Sequence, residues 1–395
     1  MREFKKLIMV NQEMGPMFID LIHKFNGHFA NGLNVVTGNS KKFEFALKNY
    51  HKNLTISKTI PLYRKSMFTR SVSWIVFLIQ LIPKILFCKK TDLFLITSNP
   101  PILGFLLAVI SFFKKVNYVY LIYDFYPDVI LELRILREDN LIIKFWNWTN
   151  INLFKNALLI FTLTEQVNNK LRMFYGIKGS KIKLIPPWAD NKFLFPISGK
   201  NNPLQKRFNP DNKKIVLYSG NMGKTHNIKI ILNAASKLSN NSEILFLFVG
   251  GGDKADMIKE FIKKTKLKNL KIENYVKSKE FNFLLNLATL SIASVSKSTD
   301  LSLIPSKIFS YMSVGLPLIV IGSEGGALKN IIEDCNCGVF HSSGSSKDLA
   351  EKIENLINNK ESLIRYKKGS TRFISLNHNK IVNTTNFLNE LKKIS

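Results

Sequence analysis

Acid is scarce in this chain. It carries 28 Asp and Glu against 57 Lys and Arg, a formal net charge of +29. An excess of that size points to a polyanionic partner: nucleic acid, an anionic membrane surface or a phosphorylated substrate. Cysteine is scarcer still, with only Cys88, Cys335 and Cys337. Three cysteines make no disulfide framework. Cys335-Asn336-Cys337 lacks the spacing of a zinc half-site, and no His/Cys pair matches it. Free thiols in a reducing cytoplasm, and no metal, are expected. Long apolar runs are missing too. Leu7–Val10 is too short for the apolar region of a signal peptide and reads as a buried strand. Ser71–Pro83 and Ile102–Phe113 fall well short of the ~20 residues a spanning helix needs. No internal repeat or low-complexity tract is present.

What the chain does have is core-forming material. Hydrophobic residues make up 46% of its 395 positions, enough to exclude disorder and to fill two domains of ordinary size. The charge is unevenly spread. Between His51 and Tyr120 ten Lys and Arg face a single acid, Asp92. These bases flank the two short apolar segments, a combination that suits a surface lying on an anionic membrane. Nucleic acid is not expected as a partner. No recognition motif for it occurs, and the bases border aliphatic rather than stacking aromatic residues.

Short apolar runs alternate with helical periodicity along the whole chain. The first half offers strands at Leu7–Val10, Leu33–Thr37, Leu93–Thr97, Val116–Tyr123, Leu158–Leu163 and Ile182–Ile185. The second half offers them at Lys214–Ser219, Glu243–Val249, Lys271–Val276, Leu290–Val295, Pro317–Ile321 and Gly338–His341. Alternation of this kind predicts an α/β protein with parallel sheets covered by helices. The polar, aperiodic stretch Pro196–Lys214 reads as the linker between two doubly wound, Rossmann-like domains. The expected division is 1–200, 201–375 and a C-terminal helix at 376–395 that packs on its own domain or crosses back to the first.

Ligands of open parallel sheets bind at the C-terminal ends of the strands, so those ends carry the candidate residues. Gly220-Asn221-Met222-Gly223-Lys224-Thr225-His226-Asn227 follows one strand and opens a helix. Its glycines permit close backbone approach, Asn227 is placed to cap, and Lys224 or His226 adds positive charge for a phosphate. The spacing is neither a Walker loop nor a dinucleotide fingerprint. Gly250-Gly251-Gly252-Asp253 ends the next strand, with Asp253 placed as a helix cap. Pro305-Ser306-Lys307 opens a third helix. A lysine in a first helical turn opposes the helix dipole unless an anion sits there. In the first half, Asp124 follows an apolar strand, and Gly15 lies in a loop that offers another close approach.

Taken in order, YSGNMGKTHN (218–227), FVGGGD (248–253), ENYV (273–276), IPSKIFSYMSVGLPLIVIG (304–322) and DCNCGVF (334–340) resemble the nucleotide-binding domain of retaining family 4 glycosyltransferases of the GT-B fold. LIYDFYPD (121–128), FTLTE (161–165) and IPPWADNKFLFP (185–196) fit the other half. The resemblance is strongest to the branch that builds O-antigen, capsule and exopolysaccharide, which includes N-acetylfucosamine transferases. It implies two Rossmann-like domains facing a cleft, a nucleotide-sugar donor, often UDP-linked, and no cofactor. It also implies a membrane-borne polyprenyl-diphosphate saccharide as acceptor, on the inner face of the cell membrane.

By the same resemblance Lys307 and Lys224 would neutralise the leaving diphosphate, with Asp124 orienting the sugar. Gly15, Gly220, Asn221, His226, Gly250 and Ser306 would contact the donor, and Tyr275 and Val276 would frame its base. The chain departs from the family at one place. Where a Glu-x7-Glu pair is usual, counted back from Gly315-Leu316-Pro317, this sequence has Ser302 and Ser310. Donor recognition therefore falls more heavily on Lys307. Two rivals remain at this point: a nucleotide-sugar 2-epimerase of the same fold, and a non-catalytic module that binds a membrane surface or nucleic acid.

Overall fold

A computed structural model describes residues 4–43, 53–63, 65–197, 202–223, 225–295, 305–324, 326–342 and 344–394. The chain divides into two compact units. The first comprises Met1–Pro187 with Ile381–Ser395, and the second Trp188–Lys380.

The first unit holds a seven-stranded parallel sheet of β1 (Lys6–Val10), β2 (Leu33–Thr37), β3 (Leu54–Lys58), β4 (Asp92–Thr97), β5 (Tyr118–Leu121), β6 (Ile160–Thr162) and β7 (Ile182–Leu184), in the order β3-β2-β1-β4-β5-β6-β7. The order reverses between β1 and β4. The inner strands β1, β4, β5 and β6 are buried along almost their whole length because helices cover both faces. One face carries Ile8, Val10, Phe94, Ile96, Tyr118 and Ile160. Against it pack α2 (Met67–Leu86) through Phe77, Leu81 and Ile85, and α3 (Leu103–Phe113) through Leu103, Leu107 and Ile110. Then come α4 (Leu141–Asn156) through Leu153 and Phe154, and α5 (Glu165–Met173) through Val167 and Leu171. On α1 (Pro16–Phe25), Phe25 meets Phe387 of α13 (Lys380–Lys392) at 5.4 Å between ring centroids. Phe387 also stacks on Phe161 of β6 at 3.7 Å. Lys183 and Glu390 add an ion pair at 3.0 Å. The last helix thus completes the first unit.

The second unit holds a six-stranded parallel sheet of β8 (Lys214–Asn221), β9 (Ile244–Gly251), β10 (Leu270–Glu273), β11 (Leu290–Ser294), β12 (Leu318–Gly322) and β13 (Gly338–Ser342), in the order β10-β9-β8-β11-β12-β13. Its helices are α6 (Ile228–Lys237), α7 (Ala255–Thr265), α8 (Ser278–Leu287), α9 (Lys307–Ser313), α10 (Ala327–Cys335), α11 (Ser346–Asn358) and α12 (Lys360–Asn377). The order reverses between β8 and β11. That break opens a crevice at the strand C-termini, where ligands of such sheets bind.

Three expectations need correction. The described residues of the stretch 196–214, 196–197 and 202–214, are not a free linker. Ile197 N–H donates to Asn286 Oδ1 at 2.7 Å, and Leu204 and Phe208 are buried in the core of the second unit. Their apolar side chains draw the segment onto α8, so the second unit begins at Trp188. Cys335 and Cys337 are not free thiols but joined in a disulfide. Asn336, at the end of α10, adopts the left-handed conformation (φ 46°, ψ 51°), and the tight turn brings the two Cα atoms to 5.2 Å. The segment around Ser71–Pro83 is not short: α2 runs for twenty residues, long and apolar enough to cross a membrane by length and composition. Capping by Ser66, whose hydroxyl accepts the Thr69 N–H, extends it at the N-terminal end.

Candidate donor-binding site

The second unit brings most of the candidate residues together at the C-terminal edge of its sheet. Strands β8 and β9 run in register so that Gly220 lies opposite Gly250. Both have positive φ, +95° and +146°. A Cβ on Gly250 would sit 2.1 Å from the Gly220 carbonyl oxygen, so only glycine permits this approach. Beyond them Gly252, at φ +127°, lies against the Asn221 side chain and the Met222 backbone. The two strand ends therefore close into one glycine-lined floor.

Lys307 lies over that floor. Its ammonium is 3.7 Å from the centroid of the Tyr218 ring and donates to the Asn221 carbonyl at 3.1 Å. Among the described residues no carboxylate pairs with it. Burial without a counter-anion lowers its pKa from the usual 10.5 to about 7. The ring of Tyr218 and one carbonyl hold the cation in place, but neither supplies a full negative charge.

His226 closes the other side. Its Nδ1 lies 2.8 Å from the Tyr218 hydroxyl and accepts the Gly223 N–H at 3.3 Å. An Nδ1 that accepts from an amide is unprotonated, so the ring is neutral with its proton on Nε2. Burial first, and the Lys307 charge second, lower its pKa to about 4. Lys254 donates to the His226 carbonyl oxygen and brings a further cation to the rim. Asn227 stands at the N-cap of α6 and Ser306 at that of α9, and neither side chain makes a capping bond. The N-cap of α7 is Lys254, not Asp253.

A cavity of about 280 Å³ opens beside this cluster. Ser219, Gly220, Val249, Tyr275, Val276 and Phe193 are among the residues that wall it. Its mix of aromatic wall, backbone and a few hydroxyls suits a flat heterocycle. A larger hollow, about 970 Å³, lies between the C-terminal end of α10 and α12. That is the strand N-terminal edge, away from the cluster, and its charged residues face solvent rather than converge.

Sequence reasoning overlooked two tyrosines. Tyr218, one step before the Ser-Gly at the end of β8, is the platform for Lys307 and the partner of His226. Tyr311, one helical turn after Lys307, accepts the Ser219 N–H at 2.8 Å and so pins α9 to β8. Four-residue spacing on a helix put Tyr311 on the Lys307 face, a signal that was readable. Ser310 is half-buried, and its hydroxyl makes no hydrogen bond among the described residues. Lys224 and Ser302 lie outside the described residues.

The first unit carries Asp124 and Gly15. Ser98 Oγ, at the end of β4, accepts the N–H of both Tyr123 and Asp124, at 3.0 and 3.1 Å. This fixes the start of the loop after β5. Burial raises the Asp124 pKa. Gly15 is the extended N-cap of α1, and a Cβ there would meet nothing within 4 Å. Nearby, the Asn99 amide donates to Asn11 Oδ1 at 3.2 Å across the reversal between β1 and β4. No group of three or more His, Cys, Asp and Glu placed to hold a metal ion occurs among the described residues.

Residues 200–373 match the family model described as Glycosyl transferases group 1. The probable glycosyltransferase WbjE of Pseudomonas aeruginosa is 20% identical over 250 residues, 63% of this chain and 62% of that protein. The putative colanic acid biosynthesis glycosyl transferase WcaI of Escherichia coli (strain K12) is 23% identical over 158 residues, 40% of this chain and 38% of that protein. The chain thus spans less than two thirds of the length of these curated relatives. The crystal structure of HepE from Anabaena in complex with UDP and glucose aligns with a TM-score of 0.74 at 16% identity, covering 98% of this chain and 100% of that one. Residues 200–373 are thus similar to the glycosyltransferase group 1 family, and the two Rossmann-like units of the chain have the GT-B fold.

Proposed function

We propose that this protein transfers a sugar from a nucleotide-sugar donor, UDP-linked, to a polyprenyl-diphosphate-linked saccharide in surface polysaccharide synthesis. The sugar is of the N-acetylated or deoxy type, and it keeps its anomeric configuration. One observation carries the reading: Lys307, a half-buried cation with no carboxylate partner among the described residues, sits over two glycines that bring bare backbone to the same point. That is a site for the diphosphate. The cavity walled by Tyr275 and Val276 takes the base. The glycosyltransferase names of the curated relatives, and the UDP and glucose held by HepE, support the same reading.

In the proposed reaction the bond between the anomeric carbon and the diphosphate oxygen breaks as the acceptor hydroxyl attacks the same face. Negative charge grows on the leaving phosphate, and Lys307 stabilises it there. The N–H groups at the start of α6 help. The departing phosphate oxygen takes the acceptor proton, so no separate strong base is needed. Lys224 adds charge at the phosphate, and Asp124 orients the sugar. Gly220, Asn221, Gly250 and Ser306 line the donor path, and Ser310 stands where the family's ribose-binding glutamate would. The protein works on the inner face of the cell membrane, where such an acceptor is presented.

The test is a donor screen by thermal protection, followed by transfer to a synthetic lipid diphosphate saccharide. A ligand that binds only the native state raises its unfolding temperature. UDP and one UDP-sugar are expected to protect, and the product is expected to retain configuration. A 2-epimer formed from UDP-N-acetylglucosamine without acceptor would overturn transfer in favour of epimerisation. No protection by any nucleotide would overturn both.

A further inference from the structure

The helical layer of the first unit has an outer surface that its core does not explain. Helix α2 buries Ser73, Phe77, Leu81 and Ile85. Its opposite side is also apolar: Phe68, Val72, Ile75, Ile79 and Leu86 all face outward, Phe68 at 78% exposure and Ile79 at 58%. The stripe is about 27 Å long at 1.5 Å per residue. It does not stop at α2. On the neighbouring helices Phe105 of α3 stacks on Phe145 of α4 at 5.8 Å, and Phe145 on Trp148 at 5.9 Å. Phe145 and Trp148 are more than half exposed. Where α2 and α3 end, Phe87 and Phe113 stand 85% and 87% exposed. Lys114 ties the two ends by donating to the Cys88 carbonyl at 2.9 Å. No described residue covers this surface, and an apolar patch of such extent marks an interaction site.

We infer that the outer face of α2, α3 and α4 docks on an anionic lipid surface, with α2 lying in the interface plane. The inference deepens the reading of a membrane-borne acceptor and rests on that reading for its purpose. Its physical grounds are separate. Helix α2 is long enough to span, but Phe77, Leu81 and Ile85 hold it in the core, so crossing a bilayer would strip the sheet bare. Lying flat, it buries the outer stripe and leaves the inner one in place. The rim is basic: Lys89, Lys90 and Lys115 are exposed beside the Phe87 and Phe113 rings. Asp92, the one acid between His51 and Tyr120, is buried and occupied by the Lys89 N–H. Lysines at such a rim reach anionic headgroups while their stems stay on apolar surface. A second copy fits less well, because a two-fold contact would set each basic rim against its own kind.

The test uses the full chain in flotation with vesicles of phosphatidylcholine, alone or mixed with phosphatidylglycerol. The protein is expected to float with the mixed vesicles, and at least ~10-fold more weakly with phosphatidylcholine alone or at high salt. Ile75→Glu with Ile79→Glu should reduce binding at least ~10-fold. Both positions are exposed, and the far-UV circular dichroism and unfolding transition of the first unit report whether the variant is intact. Should that double variant fail to fold, Phe68→Ser makes the same comparison at the end of the stripe. Absence of flotation with mixed vesicles, or flotation undiminished in the variants, overturns the inference. So does a concentration-dependent dimer that the same substitutions dissolve. Failure of the donor reading would show instead as loss of UDP protection with flotation unaffected.

Discussion

Lys307 is a proton-binding site waiting for an anion. Burial lowers its pKa to about 7 in the free protein. In the unfolded chain it titrates near 10.5. Between these values the unfolded state holds more protons, so this group makes stability rise with pH across that window. A bound diphosphate reverses the balance by favouring the charged form. Binding of UDP at pH 8 is therefore expected to take up a proton. Calorimetry in buffers of different ionisation enthalpy measures it, and Lys307→Ala should abolish it. The same variant should lower kcat by ~10²-fold, as does loss of one group that stabilises developing charge. Retained uptake, or turnover near wild type, would place the diphosphate elsewhere. Lys307 was visible in the sequence because it opposes a helix dipole. Its partners were not. Tyr218 and Asn221 lie some 86 to 89 positions away, and only the pairing of β8 with β11 brings the two segments together.

At the level of elements, the approach of β8 to β9 makes the floor of the site. Replacing Gly250 with alanine forces a Cβ onto the Gly220 carbonyl at a positive φ. A cost of roughly 1–3 kcal/mol is expected, seen as a lower denaturation midpoint for the second unit with weaker UDP protection. An unchanged midpoint would mean that the strand ends can part freely. The strands themselves were legible wherever both faces are buried, as in β1, β4, β8, β11 and β12, because their residues are continuously apolar. Strand β3 was missed. It is an edge strand, LTISK, with no fully buried position, and its polar residues carry no signal that distinguishes it from a loop. The stretch 196–214 misled in the opposite sense: its Pro, Gly and Asn look like a linker, but two apolar side chains and an Asn286 amide oxygen anchor it. The paired cysteines misled as well, since spacing alone does not reveal the left-handed turn at Asn336.

On the scale of the molecule, the first unit is built from two stretches of chain with the whole second unit between them. The helix that closes it is held by Phe387, 1% exposed between Phe25 and Phe161. Phe387→Ala should cost about 3–5 kcal/mol, confined to the first unit. Denaturation followed by two probes would show its transition moving while UDP protection of the second unit stays. Movement of both transitions together would show that the units unfold as one. The periodicity of residues 381–391 showed a helix in the sequence, but not its destination, because an amphipathic helix fits any apolar groove of suitable length.

That discontinuity reorders events on the ribosome. Domains generally mature in the order in which they are made. Here the part begun first waits longest: its sheet is synthesised early, yet one side lacks Phe387 and its neighbours until the whole second unit has emerged. The later-born half, continuous from Trp188 to Lys380, has all its own parts before its elder does.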